Sequence, residues 1–311
     1  MQLPPSACFR VPRSLFLTGI ADVWSALREG GRGGSPRSGL ALMVASAAAF
    51  AAMAAVVKKL LPDTPTQAVV LSRGAMMAVG FAMLARAQGV PLLGTRPGLL
   101  LARGLLGYAA LSCYFWSVHH LPLGDAVLLQ YSHPVFVAAI APLALGERTS
   151  SRHWWVIGGA LAGVTLIVHP TADFRPAALV GILGSALSGL AYLTVRDLSR
   201  TEHPLTILFW FPLATIPASL VLTLASGPSA VPLDAASIAG HLLVTLTALV
   251  GQVALTLGLS RTGAARATAV TLAGPVFGVA FDLALFGHAP DAASLAGMLL
   301  VLGALARLGW R

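Results

Sequence analysis

Apolar residues in this chain come in continuous blocks of about 20, not in alternation with polar ones. Ten blocks stand out, at residues 39–61, 66–86, 98–120, 123–146, 153–169, 177–198, 204–226, 236–259, 264–287 and 291–309. A helix needs about 20 apolar residues to cross the hydrocarbon core, so each block predicts a membrane span. Continuous runs exclude a transmembrane barrel, whose strands alternate. The links are short: Pro62-Asp63-Thr64-Pro65 joins the first pair and Leu121-Pro122 the third and fourth. Short links make neighbours antiparallel. The predicted fold class is all-α, a polytopic membrane protein with ten transmembrane helices.

Composition agrees. The chain has 311 residues, 57% hydrophobic and only 10% charged, with mean hydropathy +0.82. Soluble domains carry about 25% charged residues, and disordered chains depart from this in the opposite direction. The net charge of +9 would suggest a nucleic-acid partner in a soluble protein. The placement of the charges says otherwise. With a cytoplasmic N-terminus, 15 of the 20 basic residues fall inside, from Arg10 through Arg86, Arg96, Arg148, Arg152, Arg196, Arg200, Arg261 and Arg266 to Arg311. Three fall outside (Lys58, Lys59 and Arg175), and Arg73 and Arg103 lie within spans. Basic residues concentrate in cytoplasmic loops, so the split predicts ten spans with both termini inside. Nucleic acid is thereby excluded as a partner. Cys8 and Cys113 cannot form a disulfide framework, and no Cys/His spacing suits zinc. No metal or cofactor is expected. Residues 1–38, with the Gly-rich run Gly30–Gly34, read as a dispensable, disordered cytoplasmic tail with no evident secretory signal, or else as an interfacial amphipathic helix.

The chain repeats itself. Asp125–Gly146 and Arg266–Gly287 align at a constant offset of 141 residues, with 6 identities in 22 positions. Pro134-Val135-Phe136 falls on Pro275-Val276-Phe277, and Gly146 on Gly287. Val57-Lys58-Lys59-Leu60 likewise matches Val195-Arg196-Asp197-Leu198. The halves are 39–169 and 177–309, five spans each. An odd number of spans makes the second half enter the membrane from the opposite side. The fold is therefore expected as two inverted five-helix repeats, a recurrent design of secondary transporters.

The residues also carry a family resemblance. Arg103-Gly104-Leu105-Leu106-Gly107, Tyr114-Phe115, Leu121-Pro122-Leu123-Gly124-Asp125-Ala126, Pro134-Val135-Phe136, Gly146-Glu147-Arg148 and Gly158–Gly163 resemble the first EamA repeat of the drug/metabolite transporter superfamily. Gly263-Ala264-Ala265-Arg266-Ala267, Pro275-Val276-Phe277 and Gly287 resemble the second. His288 stands where such repeats carry a glutamate, as Glu147 does in the first half. The resemblance spans 39–309. It implies a bacterial cytoplasmic (inner) membrane location and movement of amino acids or similar small metabolites.

Polar residues inside the spans are the candidate site. Charge at membrane depth costs at least about 2.5–3.5 kcal/mol on insertion scales, so each such residue needs a reason. Arg73 lies about 10 Å in from the outer end of its span. It either supplies a positive field to the solute or pairs with helix-end carbonyls. Arg103 is shallower, and its simplest fate is to snorkel towards the cytoplasm. Gln130 and His133 share a face beside Pro134, which breaks the backbone ladder near mid-membrane. They either bind solute or bond helices together. Gln252 belongs to a stripe with His241, Thr245 and Thr256 that should face the bundle interior, like Thr268, Thr271, Pro275, Gly278 and Asp282 in the ninth span. Tyr114 and Tyr192 offer stacking surface. Asp282 reads as a solvated mouth residue, and Glu147-Arg148 as a helix-end ion pair. The substrate-binding set is thus Arg73, Tyr114, Gln130, His133, Tyr192 and Gln252, on a cavity formed by spans one, three, four, six, eight and nine.

The function expected is a secondary transporter moving a small organic metabolite by alternating access, with export favoured over uptake. Its partners are the bilayer and the solute. A homodimer is left open. A channel would need a charged or carbonyl-lined filter, and a sensor a soluble output domain. An intramembrane enzyme would need a nucleophile with its base, and neither Gly-x-Ser-x-Gly nor His-Glu-x-x-His occurs.

Overall fold

The computed structural model describes residues 34–309, except 122, 169–176 and 226–233, together with Leu27. Apart from Leu27 and residues 34–38, the expected tail lies outside the described residues, as do Arg175 and Arg311. Leu27 is buried in a cluster with Met77, Phe81, Ala85, Leu205 and Leu257.

Among the described residues every regular element is helical. They are α1 Pro36–Leu60, α2 Thr66–Ala87, α3 Pro97–His120, α4 Leu123–Gln130, α5 His133–Leu145, α6 Ser151–Val168, α7 Ala177–Leu198, α8 Pro204–Ala225, α9 Ala235–Arg261, α10 Ala264–Val270, α11 Gly274–Phe286 and α12 Ala292–Gly309. Local chemistry sets several ends. Ser35 caps α1 by accepting from the Ser38 amide at 3.2 Å, with Pro36 in the first turn. Asp234 caps α9 and Asp291 caps α12 in the same way.

Eight helical segments are long and apolar enough to cross a membrane, and the segment Ala292–Arg307 is a shorter apolar helix. α4 with α5, and α10 with α11, each make one such segment. α6 falls outside this set because it opens on Ser151, Arg152 and His153. The protein is a polytopic, all-helical membrane protein.

The two matched prolines mark matched breaks. α4 gives way to α5 at Tyr131-Ser132, and α10 passes through a 3-10 turn, Thr271–Ala273, into α11. Pro134 and Pro275 each stand in the first turn of the second piece, where a proline is tolerated. Gly146 and Gly287 end those pieces with φ of 68° and 72°, a left-handed cap that favours glycine.

Helix pairing follows the repeat. α1 packs on α9 and α3 on α7; α1 also meets α11, and α7 meets α5. Exchanging the two halves turns the first pair of each set into the second. α2 with α8, and α6 with α12, map onto themselves. Small residues set these distances. A methyl on Gly163 of α6 would stand 2.7 Å from the Gly297 carbonyl oxygen of α12, and one on Gly184 of α7 the same distance from Cys113 Cβ of α3. Close backbone approach is how helices associate where no water drives them together.

The antiparallel hairpins collect Arg86, Arg96, Arg148, Arg152, Arg196, Arg200, Arg261, Arg266 and Arg307 at the end where α1 begins, called here the basic end. A large apolar cluster seals that end, including Leu40, Met43, Leu100, Val195, Leu198, Ile207, Leu255 and Leu259.

Candidate functional site

A cavity of about 270 Å³ lies between the halves above this seal. All six residues singled out from the sequence, Arg73, Tyr114, Gln130, His133, Tyr192 and Gln252, line it. So do Arg103, Tyr131, Ser188, Phe211 and Thr271. The expected spans one, three, four, six, eight and nine all contribute. Spans two and seven join them through Arg73 and Phe211.

The helix breaks position one wall. His133 opens α5, and its Nδ1 meets the Gln130 carbonyl oxygen at 2.8 Å, an acceptor left over where α4 ends. A carbonyl only accepts, so Nδ1 carries the proton. His133 Nε2 meets Thr271 Oγ1 at 3.0 Å, across to the other half's break. With Nδ1 protonated Nε2 only accepts, so the one Thr271 hydroxyl proton is shared between Nε2 and the Thr268 carbonyl at 2.6 Å. The His133 ring packs edge-on to Tyr192, with centroids 5.0 Å apart. Gln130 Nε2 donates to Ser188 Oγ at 3.2 Å. His133 therefore has both ring nitrogens engaged by protein, and Gln130 has its amide nitrogen engaged.

The other polar groups differ. Among the described residues, the Gln252 amide and the Tyr114 and Tyr192 hydroxyls have no hydrogen-bond partner, although these residues line the cavity. Arg73 is 8% exposed, and its one polar contact among the described residues is Nη1 to Met53 Sδ at 3.5 Å.

Arg103 corrects its expectation. It is 4% exposed and does not snorkel. Its guanidinium lies 4.7 Å from the centre of the Phe211 ring, and among the described residues Nε and Nη1 have no hydrogen-bond partner. Gly107, one turn along α3, makes the room: a methyl there would stand 2.5 Å from Arg103 Nη1 and 2.7 Å from Phe211. The sequence signal for this was the glycine four residues on, which leaves space for the side chain to turn inward.

Ion pairs close the two ends unequally. At the basic end Glu147 does not use Arg148. It accepts from Arg196 Nε at 2.7 Å and from the Ala264 amide at 2.7 Å, with Arg200 at 3.7 Å. Arg196 also donates to the Leu259 and Ser260 carbonyls at 2.9 Å. Nearby, Glu202 is buried and accepts from the Thr95 amide, the Thr95 hydroxyl and the Arg96 amide at 2.6–2.8 Å. Sequence reading passed over Glu202. At the far end Asp282 pairs with Lys58 at 2.8 Å and His288 at 3.0 Å. The Glu147–Arg196 side chains are about 19–20% exposed, against 58% and 37% for Lys58 and Asp282. Lys58 and Arg196 are the positions that the internal repeat had matched, so the two latches correspond.

A helical membrane protein with a mainly apolar cavity that carries a few polar side chains, set between two like halves and latched at either end, has the build of a small-solute transporter. The chain belongs to the EamA-like transporter family, whose profile matches residues 37–169 and 175–309, one repeat in each half. It is 30% identical over 268 residues to the pseudopaline exporter CntI of Pseudomonas aeruginosa, covering 86% of this chain and 94% of that one. It is 30% identical over 205 residues to a riboflavin transporter of Rhizobium johnstonii, covering 66% and 67%. A solved crystal structure shares the fold with a TM-score of 0.72 at 20% identity, covering 86% of this chain and 95% of that one. The relatives are transporters and not enzymes, so this chain is a membrane transporter of small solutes.

Proposed function

We propose that the protein is a secondary transporter that carries a small organic metabolite through this cavity by alternating access. In this reading the chain crosses the cytoplasmic membrane of a bacterium ten times. Residues 39–169 and 177–309 form two inverted units about a pseudo-twofold axis, and both termini are cytoplasmic. One observation carries the reading: the six residues singled out from the sequence, on five different spans, all line one cavity at the junction of the two halves. Midplane sites of this kind, beside broken helices, are typical of transporters with inverted repeats.

Each residue then has a task. Gln252, Tyr114 and Tyr192 present groups that no described residue bonds, so they meet the solute. Gln130 and His133 hold the two helix breaks together and set the shape of the wall. Arg73 supplies a positive field from the outer side. The basic end is cytoplasmic, its latch is the tighter, and the conformation described is the one closed to the cytoplasm. Exchange of the Glu147–Arg196 and Lys58–Asp282 latches would turn the cavity from one side to the other. The cavity is complete within one chain, so the cycle needs no homodimer. Export is favoured because the relative that matches along 94% of its length is named an exporter.

The test is transport by purified protein in liposomes, over a panel of amino acids, nucleosides, flavins and small organic acids. Saturable counterflow of one class is expected. Reporter fusions should place the C-terminus in the cytoplasm. Conductance without saturation would favour a channel, and a periplasmic C-terminus would defeat the topology.

A further inference from the structure

The cavity carries two guanidinium groups and no carboxylate. Among the described residues neither Asp nor Glu lines it. Arg73 and Arg103 are both more than nine-tenths buried, and neither has an ion-pair partner among the described residues. They also approach from opposite ends. Arg73 lies seven residues into α2 and Arg103 six into α3, about 10 Å and about 9 Å from the far and basic ends respectively. Neither escapes outward. Arg73 touches Met53, which is itself seven residues from the far end of α1, and Arg103 turns towards Gly107, deeper along α3.

Buried charge is normally paired. An arginine also presents a planar fork of donors that matches a carboxylate. Arg103 keeps Nε and Nη1 enclosed against Phe211, so Nη2 is the nitrogen it offers to the cavity, and the two uncompensated guanidinium charges leave two acidic partners missing. We infer that the solute is a small dicarboxylate, with one carboxylate taken by Arg73 and the other by Arg103. Gln252, Tyr114 and Tyr192 contact the part between. Phe211 holds the Arg103 guanidinium by its ring face. The same arrangement rejects cations and penalises neutral solutes, which would leave both guanidiniums bare. This inference rests on the cavity being the solute site.

The experiment is calorimetric binding to the full-length protein in lipid nanodiscs. The probes are dicarboxylates of increasing length, from malonate to pimelate, each with its half-amide and diamide. At the best length the dicarboxylate should bind at least tenfold tighter than its half-amide, and tighter again than its diamide. Arg73→Gln and Arg103→Gln should each abolish that preference. Arg73→Lys and Arg103→Lys, which keep the charge, should restore part of it and guard against loss of fold. Leu111 of α3 also lines the cavity, and a cysteine placed there in a background free of Cys8 and Cys113, blocked by a bulky thiol reagent after purification, should abolish binding. If dicarboxylates bind no better than diamides at any length, or if both glutamine variants keep the preference, the dicarboxylate inference is overturned. The cavity reading survives that result. If dicarboxylate binding persists with the Leu111 position blocked, the solute lies elsewhere, and the cavity reading falls with it.

Discussion

Replacing Glu147 with glutamine should loosen the basic end of the protein. Glu147 ties the end of α5 to α7 through Arg196 and to the α9–α10 corner through the Ala264 amide. The glutamine keeps an acceptor for Ala264 but loses the charge that holds Arg196. A hydrogen bond to a charged group contributes about 1.5–3 kcal/mol. The pair is about one-fifth exposed, so screening is modest and that range applies. Arg196 keeps the Leu259 and Ser260 carbonyls, and the longer contact to the more exposed Arg200 adds little, so the loss is close to the one interaction. Since 1.4 kcal/mol is tenfold in an equilibrium, opening of this end should become roughly 10- to 150-fold more frequent. Amide hydrogen exchange reads such openings directly. Exchange in segment 259–266 should speed up by that factor in Glu147→Gln, while segment 242–250 of the same helix α9 stays near wild type. Unchanged exchange in 259–266 would mean that the seal is the apolar cluster around Leu198 and Leu259, with the ion pair as decoration. Lys58→Met, acting on the exposed latch, should change exchange at the far end several-fold at most, because exposed pairs are worth about 0–1 kcal/mol.

Two further outcomes separate binding from packing. Gln252→Ala should weaken solute affinity about threefold to tenfold and leave thermal stability near wild type, because its amide has no protein partner. His133→Ala should do the reverse and lower the melting temperature, since it loses bonds to the Gln130 carbonyl and Thr271, each worth about 0.5–1.5 kcal/mol. Equal stability losses in both variants would erase that distinction. Gly163→Val should destabilise by about 1–3 kcal/mol, because the added carbons meet the backbone of Gly297. A thermal shift assay decides it, and an unchanged melting temperature would mean that α6 and α12 are not in close contact.

Much of this was legible in the sequence because a membrane makes the code simple. Backbone groups must be satisfied within each span, so apolar length gives helices. The repeat survives at Pro134/Pro275 and Gly146/Gly287 because a helix break and a left-handed cap each demand a particular residue. Periodicity put Gln252 on the inner face, and the proline put Gln130 and His133 beside a break. What stayed hidden depended on tertiary placement. Nothing local announces that Glu147 reaches past Arg148 to Arg196, 49 residues away, or that Glu202 ties down the loop at Thr95 and Arg96. Arg103 was misread because depth alone suggests snorkelling, whereas space at Gly107 and the face of Phe211 turn the side chain inward. The acid facing Lys58 was also displaced. His288 occupies the position of Glu147 in the repeat, and the charge is supplied six residues earlier by Asp282.

The measurement that bears most directly on transport through this cavity is thiol access from each side. A single cysteine at Leu111, in a background free of Cys8 and Cys113, is exposed to a membrane-impermeant reagent in right-side-out and in inverted vesicles. Alternating access predicts labelling from both faces, slowed in both by the transported solute and shifted towards the cytoplasmic face by Glu147→Gln. Labelling from one face only, indifferent to solute and to Glu147→Gln, would contradict it.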